Sequence, residues 1–302
     1  MRIQANGIGI EVDDQGPPDS PGGPPLLLIM GLGMQLTAWP EPLVQRLVAA
    51  GRRVVRLDNR DAGLSQGFDE LGVPNLAWAT LRYWLHLPVH APYAMADMAA
   101  DALGVLDALG IARAQVVGAS MGGMIAQHLA AAHPQRVARL TLMMTTSGAR
   151  GLPQPSAKVR AVLLDRGGVD PRNPESVVDR LERVLTLIGS PAYRPQGEGE
   201  REAFRQRLRA YIARAWRPAG VLRHLLAVAA DGEEALEREA HRASHTAGRE
   251  RERLALAVGH RETRTGLAGE GDQALAAGRR NSLLAAEKLT QGPHRTTEVL
   301  ID

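Results

Sequence analysis

The feature that most restricts the fold of this 302-residue chain is a set of four short apolar runs in its first half: LLLIM at 26–30, RVVRL at 53–57, QVVGA at 115–119 and RLTLMMT at 139–145. Runs of this length, bounded by turn residues and largely without polar alternation, are strands buried on both faces. Between them, apolar residues recur at helical spacing. Leu43, Val44, Leu47 and Val48 lead to Gly51, and Met95, Met98, Ala102, Val105, Leu106 and Leu109 lead to Gly110, each glycine standing where a helix C-cap belongs. A third helix runs through Met124, Ile125 and Leu129. Strands alternating with helices of this length predict an α/β chain over residues 1–150, with a mostly parallel sheet covered by helices on both faces. Ahead of it, Ile8, Ile10 and Val12 alternate just after Asn6-Gly7, which predicts a tight hairpin, and GPPDSPGGPP at 16–25 reads as a surface loop.

Residues 151–230 differ in character. Pro153, Pro155, Pro171, Pro174, Pro191 and Pro195 punctuate helical segments at 177–187 and 203–215 with no strand candidate among them, the pattern of a helical lid over the C-terminal edge of the sheet. Residues 231–302 change again: every aromatic residue lies at or before Trp216, and the only β-branched aliphatic residues from Asp231 onward are Val258, Val299 and Ile301. A buried parallel strand cannot be built from these, so the last strands of such a sheet are expected to be missing. The tail, rich in Ala, Arg, Glu and Gly, has helix propensity at 233–243 and 281–289 but reads as loosely packed or partly disordered. A shift of reading frame near 235–245 would explain the change. Loss of those strands would leave an open sheet edge and poor solubility.

Composition removes several function classes. Without cysteine there is no disulfide scaffold, thiolate zinc site, iron–sulfur cluster or cysteine nucleophile. Lys plus Arg at 36 against Asp plus Glu at 33 gives a net charge of only +3, which marks no nucleic-acid surface. The start, MRIQANGIGIEVDDQG, lacks a signal-peptide core, and no stretch approaches the ~20 apolar residues of a membrane span, so a cytoplasmic, unprocessed protein is expected. The histidines lack metal-ligand spacing and no phosphate-binding glycine loop is present, so neither a metal nor an organic cofactor is expected.

The chemistry centres on Gly118-Ala119-Ser120-Met121-Gly122, a G-x-S-x-G between a predicted strand and a predicted helix. The bare pattern arises by chance in roughly one chain in ten; at a strand–helix junction it marks a nucleophile. The turn is so tight that the residues two before and two after the serine must be small, and the hydroxyl is left exposed near a helix N-terminus. Acyl transfer also needs donors aimed at the oxyanion. In this architecture they are the backbone N–H of the residue after the serine, Met121, and one from the loop after an earlier strand, Leu32, which Gly31 and Gly33 allow to turn back toward the site.

Four motifs in order, LLLIMGLGMQLTAWP, RVVRLDNRDAGLS, PYAMADMAADALGVLDALGI and AQVVGASMGGMIAQHLAAAHPQRV, resemble the α/β-hydrolase superfamily, and within it an esterase-like bacterial branch related to the anthracycline methylesterases. The resemblance continues through RAWRPAGVLRHLLAVAADG and covers about residues 1–235. It implies an α/β-hydrolase fold with a helical lid, a small-molecule ester-like substrate, and a mainly structural role for the loop holding Asp58, Arg60 and Ser65. The family pattern would next supply a Val/Ile-rich strand, an acid after G-x-x-D, and a histidine in a G-x-G-H-like loop, and here the chain departs from it. Asp272, in Gly269-Glu270-Gly271-Asp272, has the acid's spacing; His294, or His260 after LALAVG, is the candidate base. His128 and His133 read as surface or helix-end residues, and His86 and His224 as lying in or near the lid.

A serine hydrolase working through an acyl-enzyme on Ser120 is the leading expectation, impaired if the C-terminus has been replaced. A non-catalytic relative that binds a small ligand or a partner is the alternative. Cofactor-free oxidation or carbon–carbon cleavage on the same scaffold is a third reading. The oligomeric state is not legible.

Overall fold

The chain enters through the predicted hairpin. Strands β1 (Arg2–Ala5) and β2 (Ile8–Gln15) pair antiparallel with Ala5 opposite Ile8. Asn6 and Gly7 form the two-residue turn, at φ 49° and 78°, the left-handed values that a tight hairpin turn of this hand requires. The computed structural model describes residues 1–85, 87–148, 156–164, 169–170, 173–231 and 297–299.

Each of the four apolar runs forms a strand. After β3 (Leu26–Ile29) come helix α1 (Glu41–Ala49), β4 (Val54–Leu57), α2 (Leu76–Trp84), α3 (Met95–Ala108), β5 (Ala114–Ala119), α4 (Met121–Ala132) and β6 (Val137–Met143). Strands β4, β3, β5 and β6 lie side by side in parallel, and β2 adds antiparallel to β4 with Val12 opposite Leu57. Strand residues alternate between two cores. Leu27, Ile29, Val55, Leu57 and Val116 face α3 and α4, whereas Leu26, Leu28 and Val54 face α1 with Trp39 and Val44. This two-sided burial is the physical reason that the runs carry no polar alternation.

The chain steps from β3 outward to β4, then crosses back past β3 to β5. At such a reversal the loops leaving adjacent strands diverge, and a crevice opens at the strands' carboxyl ends. The loop after β3, which carries Gly31 and Leu32, and the turn after β5, which carries Ser120, therefore flank one place.

Helices α5 (Ala157–Leu164), α6 (Pro174–Ile188), α7 (Gly197–Arg214) and α8 (Pro218–Ala230) follow β6. Among the described residues of 151–230 there is no strand, in keeping with the proline-punctuated pattern. Helices α6 and α7 are antiparallel and joined by ion pairs, Glu175 with Arg205 and Arg209, and Glu182 with Arg201 and Arg205. Helix α8 packs against α2, for which the sequence shows no helical period. No parallel strand after β6 is among the described residues. A three-residue strand, β7 (Thr297–Val299), lies antiparallel to β6, with Leu142 opposite Thr297 and Leu140 opposite Val299. The edge expected to be wholly open is thus paired over Leu140–Leu142. An antiparallel addition needs only backbone groups, and Thr297 and Val299 are β-branched.

Candidate active site

Ser120 stands at the tip of the turn from β5 into α4. Its backbone sits at φ 54°, ψ −123°, a left-handed conformation that costs a non-glycine residue about 1–3 kcal/mol and persists only where the surroundings impose it. They do so through hydrogen bonds. The Ser120 N–H donates to Met143 O at 2.8 Å, the N–H of Gly123 donates to Ser120 O at 2.8 Å, and Thr145 Oγ1 donates to Ser120 O at 2.7 Å. The flanking glycines are required by space. A Cβ on Gly118 would lie 2.3 Å from Gly122 O, and one on Gly122 would lie 2.2 Å from Ile29 O. The serine itself is exposed at the N-terminus of α4, as predicted.

The loop after β3 reaches this turn. A Cβ placed on Gly31 would be 3.0 Å from Ser120 Cβ and 3.5 Å from Ser120 Oγ, so the glycine lets the loop backbone press against the serine side chain. Among the described residues, the N–H groups of Leu32 and Met121 enter no hydrogen bond, whereas the neighbouring Gly33 and Met34 N–H groups are both used. Two unengaged donors beside an exposed hydroxyl are what an oxyanion site is made of.

Asp58, at the end of β4, is fully buried. Its Oδ1 accepts from Leu36 N at 2.7 Å, and its Oδ2 accepts from Leu64 N at 2.9 Å and Arg214 Nη1 at 2.8 Å. With three donors on its two oxygens, this carboxylate ties α7 to two loops. Arg60 is bound to Asp101 through Nε at 2.6 Å and Nη2 at 2.7 Å, and Ser65 Oγ donates to Asp58 O at 2.6 Å. The loop's residues are thus occupied in holding structure together. Asp61 and Arg223, both fully buried, form a two-point pair at 2.6 and 2.9 Å, to which the Tyr93 hydroxyl adds a hydrogen bond at 2.9 Å. Burial raises the Asp61 carboxyl, but the Arg223, Phe68 N–H and Tyr93 hydrogen bonds outweigh it and hold it below the ordinary carboxylate value.

Among the described residues no imidazole is hydrogen-bonded to Ser120. Of the two places expected for His128, surface or helix end, it takes neither a surface position nor the last turn of α4 but a buried one. Helix α4 is buried from Met121 to Leu129, and His128 Nε2 lies 3.0 Å from Asp231 Oδ1 and 3.2 Å from Oδ2. A polar ring on so enclosed a helix needs a partner, and the end of α8 supplies one. Eight residues along the helix from Ser120, at ~1.5 Å per residue, it is remote from the serine hydroxyl. His133 caps the end of α4 half-buried, and His90 stands exposed beside Arg82. His224 lies on α8 and is fully buried, its Nδ1 facing Gly33 N at 3.2 Å and its Nε2 facing Arg60 O at 2.7 Å. His86, His260, Asp272 and His294 lie outside the described residues. Among the described residues no His/Asp/Glu cluster has the form of a metal site, and no helix is long and apolar enough to cross a membrane.

A parallel sheet with a reversal between β3 and β5, and a strained serine at the strand–helix turn facing a glycine loop, define a hydrolase-type scaffold. Residues 24–194, more than half of the chain, match the family model for the alpha/beta hydrolase fold, and the chain belongs to that family. Over 124 residues it is 41% identical to the rhodomycin D methylesterase of Streptomyces peucetius, a match covering 41% of this chain and 36% of that protein. It is 39% identical over 126 residues to a 2-hydroxymuconate semialdehyde hydrolase of Pseudomonas sp. strain CF600, covering 41% and 38%. The chain thus spans less than two fifths of the length of these curated relatives. Among solved structures, the enol-lactonase from Burkholderia xenovorans LB400 is similar in fold, with TM-score 0.54 and 23% identity over 79% of this chain and 77% of that one.

Proposed function

We propose that the chain is a serine hydrolase of a carboxylic ester or similar small acyl substrate, with Ser120 as the nucleophile. The observation that carries this reading is the left-handed backbone of Ser120. That strain is of no use to a helix cap and is the geometry that lifts a hydroxyl clear of the sheet. Ser120 Oγ attacks the acyl carbon, forming a C–O bond, and the carbonyl oxygen gains the displaced electron pair. The Leu32 and Met121 N–H groups hold that oxyanion. Collapse expels the alcohol and leaves an acyl-enzyme, which water then cleaves to free the acid. The serine's proton must pass to a base and on to the leaving alcohol. That task falls to His294 or His260 with Asp272 as orienting carboxylate. Helices α5–α8 serve as the lid. The similarity to a methylesterase and to a semialdehyde hydrolase supports a small-molecule substrate.

A second reading has its own observation in favour. Because no described imidazole bonds to Ser120, the chain is a non-catalytic relative that binds a small ligand in the crevice if the segment after Asp231 supplies no base. That segment is what a shifted reading frame would have replaced. Hydrolysis of a short-chain nitrophenyl ester by the wild type beside Ser120→Ala separates the two. The enzyme reading expects turnover that the substitution reduces to background. Equal background rates in two folded samples favour the binding protein.

A further inference from the structure

The loop that carries Leu32 is held at its two ends by the loop after β4, where Asn59 Nδ2 donates to Met30 O at 2.9 Å and Asp58 Oδ1 accepts from Leu36 N at 2.7 Å, and between them by the helical segment. Gly33, at φ +64°, packs so closely under α8 that a Cβ on it would meet Val221 at 2.6 Å. Its carbonyl accepts from the Tyr211 hydroxyl on α7. Two residues on, Gln35 Nε2 donates to Tyr211 O at 2.8 Å and Ala215 O at 2.6 Å, and Arg214 Nη1 reaches both Gln35 Oε1 and Asp58 Oδ2.

His224 completes this grip, and its partners fix its protonation. The Gly33 N–H can only donate, so the Nδ1 facing it must be the bare acceptor nitrogen. The Arg60 carbonyl can only accept, so Nε2 must carry the proton. Both ring nitrogens are consumed, and a second proton on Nδ1 would face the Gly33 N–H head-on. Arg60 and Asp61 face the ring from the loop after β4, Arg223 adjoins it on α8, and Tyr93 meets it edge-on at 6.1 Å between ring centroids. Asp101 neutralises Arg60 and Asp61 neutralises Arg223.

We propose that His224 is a positioning residue: as the neutral Nε2–H tautomer it bridges the Gly33 N–H and the Arg60 carbonyl, so that α8 sets the turn presenting the Leu32 N–H to the oxyanion. This rests on the assignment of Leu32 to the oxyanion site. It also makes the site depend on the helical segment, because the loop loses its anchor when α8 is displaced.

The test reads the loop directly, without activity. In the wild type, long-range 1H–15N correlation of histidine-labelled protein shows His224 as the Nε2–H tautomer, unchanged from pH 7.5 to 5. An Nδ1–H ring, or one titrating near its ordinary 6.5, overturns the proposal. Amide exchange at Gly33 is expected to be ~100-fold faster in His224→Leu and restored in His224→Gln, whose amide keeps one acceptor and one donor. Unaltered exchange in a folded His224→Leu overturns it. Should that variant not fold, the wild-type tautomer and the Gln variant still decide. Fluorophosphonate labelling of Ser120 should slow ~10-fold in His224→Leu and recover in His224→Gln. Absence of labelling in the wild type counts against the hydrolase reading alone and leaves the exchange result standing.

Discussion

Ser120 is the residue on which the proposed reaction depends, and its backbone makes it testable by stability as well as by rate. Glycine tolerates φ 54° where serine is strained. Ser120→Gly should therefore abolish turnover while raising stability by about 1 kcal/mol, whereas Ser120→Ala should leave stability nearly unchanged; urea midpoints compare the three. Gly122→Ala should do the opposite, since its Cβ would be forced 2.2 Å from Ile29 O, and a loss of about 1–3 kcal/mol is expected from thermal melting. His224 adds a pH dependence. Burial, only partly offset by its hydrogen bond to Arg60, lowers the ring from its ordinary 6.5 to about 4. Between those values the unfolded chain binds the proton and the folded one does not. Stability is therefore flat in this respect above 6.5, falls as pH drops from 6.5 to 4, and levels off below, a total of up to about 3 kcal/mol. His224→Gln should flatten that slope in urea titrations at pH 7 and 4.5. At this scale the serine was legible in the sequence because its neighbours in the chain impose the turn. The role of His224 was not, because its partners Gly33 and Arg60 lie 191 and 164 residues away along the chain.

Among elements, α8 has the greatest consequence. It carries Arg223, His224 and Val221 to the loops after β4 and β3 and ends at Asp231 beside His128. Removing Arg223 would leave the Asp61 charge buried with only neutral donors, so Arg223→Met should cost about 3–5 kcal/mol, with less lost in the Asp61→Asn, Arg223→Met double variant. A double-mutant cycle by urea denaturation measures the difference. The α6–α7 pairs differ in kind, being half in solvent. Raising salt from 50 mM to 1 M should speed amide exchange in α7 and leave α3, held by the enclosed Arg60–Asp101 pair, unchanged. The strands were legible because burial on both faces writes an unbroken apolar run into the chain. Helix α2 was not, because an exposed Trp78, Leu81 and Tyr83 give it no polar face by which to recognise its period. The burial of His128 was missed for a related reason: α4 is enclosed on all sides, so no stripe on it marks an outside.

For the whole molecule, the sheet brings the β3 loop and the β5 turn together at its reversal, and α7 and α8 hold the β3 loop. The proposed nucleophile and oxyanion donors thus lie in the first half of the chain, and contacts that hold the β3 loop come from α7 and α8. The proposed base lies in the segment after Asp231, whose Arg/Ala-rich composition departs from the rest. Translation of the encoding DNA in the other two frames is a protein-free check on that segment. If neither frame yields an apolar strand, a G-x-x-D and a late histidine, the frame-shift explanation is wrong. The most direct measurement on the protein is peptide mapping after exposure to a fluorophosphonate. A single adduct on the peptide containing Ser120, absent from Ser120→Ala, is the predicted result. An intact, folded protein that takes no adduct, or takes it at another residue, contradicts the assignment of Ser120 as an activated nucleophile.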